Sequence, residues 1–119
     1  MIFMEEEPGY LTSLKHSLWN LLAGTRGGIT RIRIIELLKE RPFNVNQLHE
    51  KLGLDYKTIQ HHIRTLIRSN IIMLEGEKKY GSVYFLSPVL EKNIHLLDEI
   101  LDKTGEKQIR KIKQNKDGR

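Results

Sequence analysis

Residues 44–70 read NVNQLHEKLGLDYKTIQHHIRTLIRSN, and the fold is decided in this stretch. Asn44 and Gln47 form an N-x-x-Q capping box, in which each side chain can satisfy the other residue's backbone at a helix start. The short helix that follows carries Val45, Leu48 and Leu52 on one face, and Gly53 ends it. Leu54 and Asp55 make a tight turn, and Asp55 caps a second helix from Tyr56 to about Ser69. In that helix Ile59, Ile63 and Leu66 face inward, and Asn70 suits the left-handed residue that closes it. Helix, tight turn and second helix together let the second helix project into a DNA major groove while the first crosses the backbone.

Upstream, a helix over about Ile29–Glu40 has Ile32, Ile35 and Leu38 on one face, widened by Ile34 and Leu37. Pro42 stops it, and Phe43 begins a short extended link. Gly24-Thr25-Arg26-Gly27-Gly28 separates it from a first helix over about Gly9–Ala23, marked by Leu11, Leu14, Leu18 and Leu21. Downstream the period changes to two, and Ile71–Glu75 and Ser82–Ser87 read as strands. The glycine-bracketed loop between them carries Lys78, Lys79 and Tyr80. Ser87-Pro88 then starts a last helix reaching about Lys103, with a seam of Leu90, Ile94, Leu97 and Leu101.

The expected fold is mostly α with a small β-hairpin: a winged helix-turn-helix with extra N- and C-terminal helices. Residues 1–103 form the expected domain, with its core at 24–87. Residues 104–119 are a basic tail, either a frayed helix end or a flexible arm. A chain of 119 residues is one domain long. It carries 20 Lys and Arg against 15 acidic residues, a balance that suits a nucleic-acid partner without requiring one. No apolar run approaches the ~18 residues of a membrane span, and Met1–Met4 lead straight into Glu5–Glu7, unlike a signal peptide. A cytoplasmic protein with no membrane partner is expected.

No cysteine is present, which removes thiolate metal sites and cysteine nucleophiles. His49-Glu50 begins like a zinc-protease motif, but Gly53 stands where the second histidine belongs. His61 and His62 point about 100° apart on a helix and cannot share a metal. His95 makes i, i+4 pairs with Glu91 and Glu99, a pattern that more often marks a solvated helix. No cofactor, no obligatory metal and no enzyme activity are therefore expected.

The outer face of the second helix is left with Lys57, Thr58, Gln60, His61, Arg64 and Arg68, none of them acidic. A solvated face would mix signs, whereas these side chains suit phosphates and base edges. The stretches beginning at Ile29, Val45 and Tyr56 resemble the ArsR-like winged-helix regulators, with His62-Ile63 matching the histidine–aliphatic pair that ends the family's recognition helix. Val83-Tyr84-Phe85-Leu86 matches its aromatic returning strand, and Thr25-Arg26-Gly27-Gly28 and Asp55-Tyr56-Lys57-Thr58 are similar to an archaeal branch.

That resemblance covers about residues 24–87. It implies transcription regulation, base or phosphate contact from Lys57, Thr58, Gln60, His61 and Arg64, wing contact from Lys78 and Lys79, and a homodimer formed by the outer helices. Two departures matter: the metal-sensing members use cysteines, and the wing tip here has lysines and Tyr80 where many relatives place arginines. The dimer seams would be Leu11, Leu14, Leu18 and Leu21 with Leu90, Ile94, Leu97 and Leu101, unless they close the monomer's own core. Arg26, Gly27 and Gly28 could bind a phosphate through backbone N–H groups, or be a plain connection. His62 is read as structural, packed on the hairpin or touching a phosphate. A protein-interaction module is the alternative function, and it would present an acidic or apolar outer face.

Overall fold

The computed structural model describes residues 8–76 and 81–103. Glu5–Glu7, the wing-tip residues Lys78, Lys79 and Tyr80, and the basic tail from residue 104 lie outside the described residues. The order is α1 (Pro8–Leu22), α2 (Gly28–Glu40), α3 (Val45–Leu52), α4 (Tyr56–Arg68), β1 (Ile72–Glu75), β2 (Val83–Leu86) and α5 (Pro88–Lys92). Residues 94–103 are helical again and are called α6. This is the mostly helical winged helix-turn-helix expected from the sequence.

Local chemistry sets most of the boundaries. The Gln47 N–H donates to Asn44 Oδ1 at 2.7 Å, and the Asn44 N–H donates to Gln47 Oε1 at 2.9 Å, completing the box that starts α3. Gly53 ends α3 at φ +68°, a conformation that an L side chain resists. Asn70 closes α4 in the same left-handed region, at φ 59°. The Ser87 Oγ accepts the Leu90 N–H at 3.3 Å, and Pro88 occupies the first turn of α5.

The strands pair antiparallel, with Ile72 opposite Leu86 and Glu75 opposite Val83. A third piece of chain joins them. The Phe43 N–H donates to the Tyr84 carbonyl at 3.2 Å, and the Tyr84 N–H returns to the Phe43 carbonyl at 2.8 Å. The link between α2 and α3 is thereby hydrogen-bonded to the wing. Phe43 itself is buried, with the Arg41 guanidinium 4.2 Å from its ring centroid.

The core lies between α1, α2, α3, α4, the inner end of the hairpin and the last two helices. Leu18, Leu22, Ile34, Ile35, Leu48, Ile59, Leu66, Ile71, Leu90 and Leu97 have no exposed surface. Each such burial contributes roughly 1.5–3 kcal/mol before the entropy of ordering the chain is counted. Two sequence expectations are corrected by this arrangement. The last helix is not continuous, because Asn93 breaks it at φ −121°, ψ 37°. Asn93 Nδ2 donates to the Val89 carbonyl at 2.9 Å, occupying the acceptor that the next helical N–H would have used. The leucine seams are not free faces either. Leu14, Leu18, Leu90 and Leu97 lie inside this chain's own core, while Leu11, Leu21, Ile94 and Leu101 are half-buried against it. Lys39 Nζ reaches Asp98 Oδ1 at 2.8 Å, fastening α6 to the end of α2 at the surface. Among the described residues, no helix is long and apolar enough to cross a membrane.

Candidate nucleic-acid interface

Helix α4 divides into two faces. Ile59, His62, Ile63 and Leu66 are buried, whereas Lys57, Thr58, His61, Arg64 and Arg68 are exposed and Gln60 is half-buried. The structure thus brings all six outer residues named from the sequence onto one helix, with no carboxylate among them. Asp55, at the tip, is engaged as the cap: its Oδ2 accepts the Thr58 N–H at 3.1 Å and the Thr58 hydroxyl at 2.9 Å. With the hydroxyl proton so used, Thr58 offers an outside contact its methyl and an acceptor oxygen but no donor. The turn behind it is held by His49, whose Nδ1–H donates to the Leu54 carbonyl and whose ring meets Tyr56 edge-on at 6.2 Å. His49 therefore stiffens the helix-turn-helix. Among the described residues, no three His, Cys, Asp or Glu gather where a metal could sit.

A cleft of about 410 Å³ opens between the start of α3, the start of α4 and the base of the wing. Asn46, Tyr56, Gln60, Ser82 and Tyr84 line it. Of these only Gln60 is a DNA-contact candidate in the sequence; Tyr56 and Tyr84 enter there only within their elements and as part of a resemblance. The others belong to three separate elements, and no spacing along the chain shows that they meet. Burial pushes the Tyr84 phenol above its ordinary value, and Tyr56 adds to the effect, so Tyr84 stays neutral.

Behind α4 the structure places something the sequence reading missed. Arg31 is buried in α2, on the same face as Ile34, Ile35 and Leu38. Its Nε donates to the Leu21 carbonyl at 2.8 Å, its Nη2 to Thr25 Oγ1 at 3.1 Å, and its Nη1 to His62 Nδ1 at 3.2 Å. The available signal was an arginine in an apolar register, three and four residues before buried isoleucines. His62 is thus a buried structural residue, and the polar partner it faces is Arg31. Burial holds its imidazole below the ordinary value, and Arg31 and then His61 press the same way.

The glycines before α2 are explained by this packing. A Cβ on Gly27 would lie 2.6 Å from His62 Cε1, and one on Gly28 would lie 2.4 Å from the Leu22 carbonyl oxygen. The Gly28 N–H already donates to the Thr25 carbonyl at 3.1 Å, and Gly28 is buried, so a phosphate cradle there is corrected to a close-packed turn. Arg26 remains exposed beside it. Lys78 and Lys79, the expected wing contacts, fall outside the described residues.

Known structures share this fold. The chain is similar to Rv0081 of Mycobacterium tuberculosis, with TM-score 0.58, 24% identity, and coverage of 87% of this chain and 99% of that one. It is similar to the transcriptional repressor BigR of Xylella fastidiosa, with TM-score 0.61, 18% identity, and coverage of 87% and 96%. The homodimeric winged helix-turn-helix DNA-binding domain Mb0332 of Mycobacterium bovis, described as a possible ArsR-family transcriptional regulator, gives TM-score 0.60 at 16% identity. It covers 87% of this chain and 91% of its own. The ArsR-like winged helix read from the sequence is thus the fold observed. No curated protein matches the sequence. The family model described as the methanogenesis regulatory protein FilR1, N-terminal domain, matches residues 21–83, from the end of α1 to the first residue of β2. With more than half its length so matched, the chain belongs to the FilR1 N-terminal domain family.

Proposed function

We propose that the chain is a sequence-specific double-stranded DNA-binding transcription regulator that acts as a homodimer in the cytoplasm. The observation that carries this reading is the outer face of α4. Lys57, Thr58, Gln60, His61, Arg64 and Arg68 stand there without an acidic neighbour on the helix, on a scaffold capped and stiffened at the turn. Lys57, Arg64 and Arg68 would hold phosphates, which sets register, and Gln60 would read a base edge, adenine being the best fit to its amide. Lys78 and Lys79 would add phosphate contacts from the wing, and the basic tail beyond residue 103 would add charge. Occupancy of the site would then control transcription by exclusion or recruitment. Neither role needs a cofactor or a catalytic step.

Self-association is supported by the outside of α1 and α6. Trp19 is 41% exposed there, beside a groove of about 310 Å³ lined also by Lys15, His16, Leu96, Ile100 and Lys103. The half-buried Leu11, Leu21, Ile94 and Leu101 replace the fully buried leucines as candidates for such a contact. A two-fold dimer would place half-sites about one helical turn apart, or a multiple of it.

Selection from a random duplex library, followed by footprinting, tests the proposal directly. The expected result is a two-fold related site. A variant combining Lys57→Ala, Gln60→Ala and Arg64→Ala should lose that site, and equal binding by the variant would leave a protein-interaction module as the better reading.

A further inference from the structure

We propose that Arg31 is a positioning residue for the recognition helix: its bond to His62 sets how α4 stands against α2, and a proton on His62 releases it. The inference rests on the DNA-binding reading for its consequence, though its geometry stands apart from it. One guanidinium joins three pieces of chain, donating to the end of α1 at Leu21, to the linker at Thr25 and to α4 at His62. Among the described residues no carboxylate lies within ion-pair reach of Arg31. Its bond to α4 therefore depends on a neutral imidazole acting as acceptor. With Nδ1 accepting, the neutral ring carries its proton on Nε2. A second proton would turn N–H toward N–H and set two cations 3.2 Å apart.

The groups facing His62 offer no relief. Arg31 comes from α2, His61 from its own helix with ring centroids 5.2 Å away, and the uncharged Gly27 of the linker lies against the ring. Among the described residues, the charged or titratable groups that bear on the ring, Arg31 and His61, are both potential cations. Retreat toward the linker is closed as well, because even a Cβ on Gly27 would sit 2.6 Å from His62 Cε1 and 2.8 Å from Arg31 Nη1. Relief therefore comes from moving α4 away from α2. Gln60, His61 and Arg64 are carried on that helix and would move with it. Because burial and the two neighbours hold the imidazole below its ordinary value, the contact is intact at neutral pH and opens on acidification.

The test uses the full chain, isotopically labelled. The His62 ring and the amides of residues 21–31 and 56–68 are followed by NMR from about pH 8 to about pH 4.5, a range that spans the ordinary histidine value. The expected result is one transition, below the ordinary histidine value, shared by the ring and by amides on both α2 and α4. In parallel, affinity for a random-sequence duplex is measured at constant salt in a His61→Gln background. That background removes the exposed histidine of the proposed DNA-facing surface, so that the comparison isolates His62.

Acidification should weaken binding on the order of five- to tenfold more in this background than when His62→Asn is added. That second substitution keeps an acceptor and removes the proton site. Arg31→Lys, which keeps the charge and loses the fork, should bind more weakly already at neutral pH. A merely structural His62 would lower the melting temperature of His62→Asn and leave its pH profile parallel to the background. Parallel profiles would overturn the proposal, as would a ring transition with no amide response across α2. If no duplex binds at any pH while ring and amides move together, the positioning role stands and the DNA-binding reading falls.

Discussion

At Gly28 an added Cβ would meet the Leu22 carbonyl oxygen at 2.4 Å, whereas at Gly53 it would meet nothing within 4 Å. The two glycines answer different constraints and should fail differently. Gly28→Ala forces backbone against backbone where α1 turns into α2, and about 1–3 kcal/mol of destabilisation is expected in urea unfolding. Gly53→Ala carries only the left-handed backbone at φ +68°, for about 1–2 kcal/mol. Gly53→Asn should recover much of that deficit, because Asn tolerates this region, and no equivalent rescue exists at Gly28. His62 gives a third expectation, with a definite sign. Its folded-state value is depressed, mainly by burial, so its contribution to stability is fully present above the ordinary value of about 6.5. That contribution is lost as pH falls from there through the lower folded value. Melting temperature should therefore drop more steeply on acidification in the wild type than in His62→Asn, as differential scanning fluorimetry would show.

On the proposed reading of α4, side chains that would read sequence and side chains that would hold the DNA backbone can be separated by measurement. Gln60→Ala should relax preference at one position per half-site, by on the order of 1–3 kcal/mol against the best site and little against random DNA. Arg64→Ala should weaken all duplexes alike and flatten the log–log salt slope by roughly 0.9 for each phosphate it no longer neutralises. Fluorescence anisotropy over a salt series distinguishes the two. The elements that carry this face were legible because their ends are written locally. The Asn44–Gln47 box, the Asp55 cap, Gly53, Asn70 and Ser87-Pro88 all act within a few residues of themselves. What stayed hidden depends on partners far along the chain. The apolar register of Arg31 hints at burial but not at its partners until Leu21 and His62 are placed around it, and Phe43 looks like a plain link until it pairs with Tyr84. Asn93 is a local exception: an amide can bond the backbone or face water, and periodicity does not distinguish the two. Leucine spacing likewise identifies a buried face without saying whether the same chain or a second one buries it.

For the whole molecule, the relocation of the leucine seams changes which substitutions report on assembly. Leu97 is fully buried, so Leu97→Glu should unfold the chain rather than divide a dimer. Trp19 is exposed on the outer face of α1, so Trp19→Glu should leave the fold intact and yield monomers that bind DNA weakly. Sedimentation and circular dichroism on the two variants, beside a wild-type dimer at micromolar concentration, check both halves of this expectation. A sedimenting wild-type monomer would count against the homodimer. The backbone bonds between Phe43 and Tyr84 bear on another property of the whole molecule. They tie the base of the wing to the link that precedes α3, so that the two are joined as the arms of a calliper are joined at its pivot. If the chain binds DNA as proposed, a duplex whose groove spacing does not suit that calliper would itself have to bend or narrow, and sequences that deform easily would gain an advantage at positions no side chain touches.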